Sequence, residues 1–131
     1  MSDFRLKDIL VVMHDTFKDV CPNIYTSNRP KVINENIDAF IVISLPVMLY
    51  NKTYGKGYGM VSSYSRIEIY VKDYNGLEQI AKLDALVNKC IDKFPIDNNL
   101  ITISRPRVVL SGADGYGFHV ATIQASFLTK Y

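Results

Sequence analysis

The chain has 131 residues, one domain's worth, and its 48% hydrophobic against 21% charged residues exclude a disordered tail. Fifteen Lys and Arg against 13 Asp and Glu leave a net charge of +2, too small to mark a nucleic-acid binder by composition. No apolar run approaches the roughly 18 residues of a membrane span, and Met1-Ser2-Asp3-Phe4-Arg5 lacks a signal-peptide pattern. Two cysteines, Cys21 and Cys90, are too few for a disulfide scaffold, so a soluble protein in a reducing, intracellular compartment is expected.

Residues 4–20 read as a helix capped by Ser2 or Asp3. Leu6, Ile9, Leu10, Met13 and Phe17 recur at helical spacing, with Lys7, Asp8, Asp15, Lys18 and Asp19 largely on the other side. Cys21-Pro22 stops it, and the extended piece Ile24-Tyr25-Thr26 leads into turn-rich Ser27-Asn28-Arg29-Pro30. From Ala39 the period becomes two. Ile41, Ile43, Leu45, Val47 and Leu49 share one strand face, with Phe40, Val42, Ser44, Met48 and Tyr50 on the other. Pro46 cannot donate to a ladder, so this strand is expected at an edge or bulged there. A second strand over 61–72 puts Val61, Ile67, Ile69 and Val71 on one face and Ser62, Tyr64, Arg66, Glu68, Tyr70 and Lys72 on the other.

Asn75, with Glu78 three residues on, reads as the capping box of a second helix. Its buried stripe would be Leu77, Ile80, Leu83, Val87, Ile91 and Phe94, and Phe94-Pro95 ends it. Strands over 100–110 and 118–128 close the chain as a hairpin, with Asp114-Gly115 as the turn signal. The order α-β-β-β-α-β-β predicts an α+β fold in which two helices pack on a mainly antiparallel sheet. Residues 1–131 read as a single domain, with no internal repeat and no dividing linker.

One length is informative. Residues 40–53 fully extended would span about 46 Å, against a radius of gyration of about 14 Å for a domain of this size. The hairpin over 40–72 must therefore bend sharply or project. Its tip, Tyr54-Gly55-Lys56-Gly57-Tyr58-Gly59, is glycine-rich and aromatic, and apolar residues on both faces suit an arm that reaches a neighbouring subunit. Met48, Tyr50, Tyr54, Lys56 and Tyr58 are the expected subunit-contact residues of that arm.

Chemistry is harder to find. The Gly55-Lys56-Gly57-Tyr58-Gly59 run precedes a strand rather than the helix N-terminus a phosphate loop needs, so a hairpin tip is the better reading. His14, Cys21, Cys90 and His119 show none of the short paired spacings of zinc sites. His119 beside Asp114 is explained by a turn without a nucleophile, and Glu68 is the lone acid in the strand cores. No catalytic residue, metal site or cofactor is expected. The strand and loop segments carry a small excess of Lys and Arg and the helical segments a small excess of acid. Lys52, Arg66, Arg105 and Arg107, with Tyr25, Tyr50, Tyr54, Tyr58, Tyr64 and Tyr70 interleaved, are the candidate lumen- or nucleic-acid-facing residues. A small nucleic-acid-binding module is therefore the alternative reading.

In layout the chain resembles the tail terminator, or tail completion, proteins of tailed bacteriophages and prophages, and the related neck and head–tail joining proteins. The resemblance runs through the first helix, Ile24-Tyr25 with its Arg29-Pro30 loop, and Ala39-Phe40-Ile41-Val42-Ile43-Ser44-Leu45-Pro46. It continues through Arg66-Ile67-Glu68-Ile69-Tyr70-Val71, the helix after Asn75-Gly76, and the hairpin ending Ala125-Ser126-Phe127-Leu128. What it implies is a virion structural protein of the tail or neck, assembled in the bacterial cytoplasm as a ring, usually of six subunits. Such a ring caps the tail tube and joins it to head connector proteins, with DNA passing through the lumen without sequence-specific contact. The family implies no enzyme activity and no membrane.

Overall fold

The computed structural model describes residues 6–26, 33, 36–44, 50–54, 57–98 and 101–130, with the backbone alone for 6, 50–54, 57–64 and 129–130. Helix α1 (Leu6–Phe17) turns Ile9, Met13 and Phe17 fully inward, one residue per turn on a single stripe. Phe4 and Arg5, the first two residues of the helix expected from sequence, and its caps Ser2 and Asp3 lie outside the described residues. After the helix, Val20 and Cys21 N–H groups both donate to Phe17 O, closing the last turn. Cys21 thus sits beyond the helix, in the core, rather than on it.

Among the described residues seven strands follow: β1 (Ile24–Thr26), β2 (Ala39–Ser44), β3 (Tyr50–Tyr54), β4 (Gly57–Lys72), then after the second helix β5 (Ile96–Asp97), β6 (Ile101–Ala113) and β7 (Phe118–Lys130). They form one sheet in the order β1-β2-β4-β7-β6-β5, with β3 also paired to β4. All pairs are antiparallel except β1 with β2. The fold is α+β, as the order of elements predicts, with two additions. The stretch from Ala39 resolves into β2 and β3, and Ile96-Asp97 forms a short edge strand.

β2 and β3 lie along the same edge of β4 in registers that differ by one residue, Ser44 opposite Arg66 but Tyr50 opposite Val61. Pro46, Met48 and the rest of 45–49 lie outside the described residues. β7 pairs with β4 from Lys72 out to Gly59, so most of the 40–72 hairpin is sheet. Among the described residues, only the Thr53–Tyr58 and Tyr54–Gly57 pairs extend past the last β7 partner.

Helix α2 spans Ile80–Ile91 and starts later than the sequence predicts. Asn75 and Gly76 both take positive φ (50° and 74°), as the centre of a type I′ turn requires. Tyr74 and Leu77 exchange backbone hydrogen bonds of 2.9 Å across them. Asn-Gly therefore acts as a hairpin signal and Glu78 does not cap. Leu77 and Ile80, expected in the buried stripe, are exposed, because they precede the helical face that packs. Gln79 Nε2 instead donates to Lys72 O at 2.7 Å, tying the start of α2 to the end of β4.

Both helices lie on one sheet face. Ile9, Met13, Phe17, Leu83, Val87 and Cys90 close over Ile41, Ile43, Ile67, Ile69, Ile101, Ile103, Ile123 and Phe127. Lys93 Nζ meets Asp19 Oδ2 at 2.7 Å between the ends of the two helical segments, and this holds the Asp19 carboxyl below its usual range. The other sheet face has a smaller core of Phe40, Val42, Tyr70, Phe118 and Val120, with Tyr25, Ile33 and Ile37 against it. No helix among the described residues is long and apolar enough to cross a membrane.

Candidate functional site

The face of the sheet away from the helices divides into two parts. Toward Phe40 it is an aromatic core: Phe40 stacks on Tyr70 with centroids 4.4 Å apart, and Tyr25 and Phe118 meet its edge at 5.6 and 5.2 Å. Tyr25 and Tyr70, two of the interleaved tyrosines, are thereby committed to packing and offer no free ring for a base. The side chains of Tyr50, Tyr54, Tyr58 and Tyr64 lie outside the described residues.

Further along, the same face becomes polar. Strand register aligns Ser44, Arg66, Gln124 and Arg107 in one row across β2, β4, β7 and β6. Arg66 and Arg107 are exposed, and Arg107 Nε donates to Gln124 Oε1 at 3.1 Å. Arg105 joins them at a β-bulge, where Ser104–Ser126 pairing gives way to Arg107–Gln124. It holds φ of 56°, a left-handed conformation that costs an L-residue roughly 1–2 kcal/mol. A second bulge on β6, between Leu110 and Gly112, has glycine in its positive-φ position. Two of the four basic residues singled out from sequence, Arg66 and Arg107, thus share one row on this face, and Arg105, also exposed, lies two residues before Arg107 in the bulge. The fourth, Lys52, stands on β3 opposite Gly59, which pairs in turn with Lys130. Lys56 and Met48 lie outside the described residues.

The second cluster of polar groups lies at the end of the sheet where β4 stops and β7 starts. His119 Nδ1–H donates to Asp73 Oδ1 at 2.7 Å, and its Nε2 faces Glu78 Oε2 at 3.8 Å. The Asp73 hydrogen bond raises the imidazole pKa above its ordinary value, with Asp73, Glu78 and Asp114 charges adding to the effect against some desolvation. Asp114 Oδ1 accepts from Tyr116 N–H at 2.7 Å and Phe118 N–H at 3.1 Å, an Asx-type turn that shapes the β6–β7 connection. His119 therefore pairs across the sheet with Asp73 rather than with the nearby Asp114. A base held by an acid in this way needs a hydroxyl or thiol to activate. No described hydrogen bond joins His119 to either, and both cysteines are buried in the helix-side core. Among the described residues, no group of three or more His, Cys, Asp or Glu is arranged to hold a metal ion.

No family model matches the chain, and no curated protein matches it. Among solved structures, a chain of "Virion of native gene transfer agent (GTA) particle" superposes with a TM-score of 0.52 at 11% identity. The match covers 88% of this chain and 82% of that one. The two chains share a fold. At this coverage the likeness concerns most of the chain rather than one motif.

Proposed function

We propose that this chain is a structural protein of a phage-like virion: a tail terminator that forms a ring, of six subunits as in proteins it resembles, at the head-proximal end of the tail tube. The ring stops tube growth, meets the head connector proteins and lets DNA through its lumen. The chain is assembled in the bacterial cytoplasm, performs no catalysis and uses no cofactor. The observation that carries this reading is the fold shared with a gene transfer agent virion chain over most of both lengths. In the ring, Arg66, Arg105 and Arg107 face the lumen, where they meet passing phosphates without reading sequence. Deleting the gene from a particle-producing strain tests the reading. Unjoined heads and tails of irregular length are expected, and mass spectrometry of wild-type particles should find the chain. Complete, infective or transferring particles without it would overturn the proposal.

The arginine row also favours a second reading, a small module that binds single-stranded nucleic acid through phosphate contacts. The two readings differ in solution. A binding module holds an oligonucleotide tightly as a monomer, with affinity falling steeply as salt rises, whereas a lumen surface built to let DNA slide holds it weakly at every salt concentration.

A further inference from the structure

Strand β6 runs well beyond the short strand that borders it. β5 pairs with Thr102 and Ile103, and among the described residues no strand lies on the outer edge of β6 from Val108 onward. There Val108, Val109 and Leu110 are 43%, 42% and 73% exposed, three large apolar side chains in a row. Val108 and Leu110 stand opposite Ile123 and Ala121, so they belong to the helix-side face of the sheet. Helix α2 packs chiefly on β4 and β7 and α1 on β2, which leaves this margin of the face uncovered. Val109, opposite Thr122, is on the other face. An open edge with apolar side chains on both faces is a template for another strand, because backbone groups and side chains gain partners together.

The order of charges along β6 selects that strand. Arg105 and Arg107 precede the apolar triplet, and Asp114 follows it. A parallel, in-register copy would set arginine against arginine, whereas an antiparallel copy sets the basic end of each strand against the acidic end of the other. A two-fold axis through Val109 also keeps every residue on its own face of the sheet. It places Val108 of each copy opposite Leu110 of the other, Val109 opposite itself and Arg107 opposite Ser111. The two helix-side cores then become continuous across the junction. The bulges of β6 bound the paired stretch, and Pro106, which has no N–H to donate, falls at its end, where a proline is tolerated.

We propose that two copies of the free chain join through β6, edge to edge and antiparallel, with Val109 on the two-fold axis. The contact is isologous and closes at two copies. It goes beyond the ring reading and does not depend on it, since a two-fold pair by itself does not propagate around a tube.

The test is the oligomeric state of the full chain, read by sedimentation velocity and native mass spectrometry over a concentration series. The wild-type chain should be dimeric by about 100 μM. Val109→Asp and Val109→Lys each put like charges face to face on the axis and should weaken dimerisation by at least about 10-fold. Mixed in equal amounts, the two variants should recover as a heterodimer, the result that pairing of Val109 with its own copy requires. Val109→Cys is the second probe and keeps a small apolar side chain. Its Cα would lie about 4.5–5.5 Å from its copy across an antiparallel pair, within disulfide range, so mild oxidation should link the chains. Val11→Cys, on α1 and equally exposed, should stay unlinked. A wild-type chain that is monomeric throughout, single variants that dimerise normally, a mixture that does not recover, or Val109→Cys that links no faster than Val11→Cys would each overturn the pairing. Monomeric chains whose Val109 variants drop out of particles would mean that a strand of another virion protein takes the edge, overturning the pairing and leaving the virion role standing.

Discussion

Replacing Phe40 by alanine tests whether the face of the sheet away from the helices is a true core. Phe40 is fully buried, stacks at 4.4 Å and 9° on Tyr70, its direct cross-strand partner, and receives ring edges from Tyr25 and Phe118. Burying a phenylalanine ring removes on the order of 200 Å² from water, or about 5 kcal/mol at ~25 cal/mol per Å². Partial collapse of the cavity offsets some of that, while loss of three ring contacts adds to it, so about 3–5 kcal/mol is expected. For a chain of this length that corresponds to roughly 12–20 °C in Tm, a large part of a typical domain's stability. With no tryptophan in the sequence, far-UV circular dichroism across a urea titration is the assay. A loss below about 1 kcal/mol would refute the reasoning. It would mean that these rings pack loosely enough to be displaced, and would return Tyr25 and Tyr70 to the candidate base-stacking surface.

The His119–Asp73 pair predicts a pH dependence. The folded-state pKa of His119 is raised above the ordinary value near 6.5, so its contribution is complete below that value and fades as pH rises through the higher folded-state value. Melts from about pH 5.5 to 8.5 should show this decline, and Asp73→Asn should flatten it; an NMR titration placing His119 at or below 6.5 would contradict it. The Cys90 thiol is pushed up to about 12, chiefly by burial, and Cys21 is also raised. Cys90 should react with a thiol reagent at pH 8 on the order of 10³-fold more slowly than a free cysteine, and Cys21 more slowly too, until urea unfolds the chain; rapid native labelling would refute this. Arg105→Gly should stabilise the chain by up to about 1 kcal/mol, since glycine accepts the positive φ that arginine resists. The same change should lower the salt slope of polyanion binding by about one, and a net destabilisation would show that the arginine side chain is needed for folding.

The faces of the strands were legible from period two because burial follows the pleat. Ile41 and Ile43 go under the helices, and Phe40 and Val42 go to the opposite core, as alternation requires. The inward stripe of α1 was equally plain. The start of α2 was not, because Asn75-Gly76-Leu77-Glu78 satisfies two local patterns at once. Asn with Glu three residues on fits a cap, and Asn-Gly fits a type I′ turn; backbone pairing of Tyr74 with Leu77 decided for the turn. That choice is what leaves Leu77 and Ile80 outside the core.

The candidate site was legible in residue type and illegible in arrangement. Arg66 and Arg107 stand out in the sequence, but their common neighbour Gln124 follows from the register of three strands, set by bulges at Ser62/Ser65 and Ser104/Arg107. His119 and Asp73 are 46 residues apart and meet because Val71 pairs with His119. Local periodicity carries no information about that pairing.

On the proposed ring reading, the bulges bear on assembly as well as on the site. A long strand such as β4 would twist its two ends through a fixed angle if its pairing were regular. Each bulge adds local twist and a bend, so the break at Ser62/Ser65 re-aims the backbone of the β3–β4 hairpin relative to the end of the sheet near Asp73. In a heterologous assembly that angle decides whether successive copies close into a ring or climb into an open helix. Deleting one residue of the bulge, Ser63, should then change the form of the assembly more than the affinity of a single contact. Electron microscopy of the associated variant would show open arcs or filaments in place of rings, and unaltered rings would show that closure is set elsewhere.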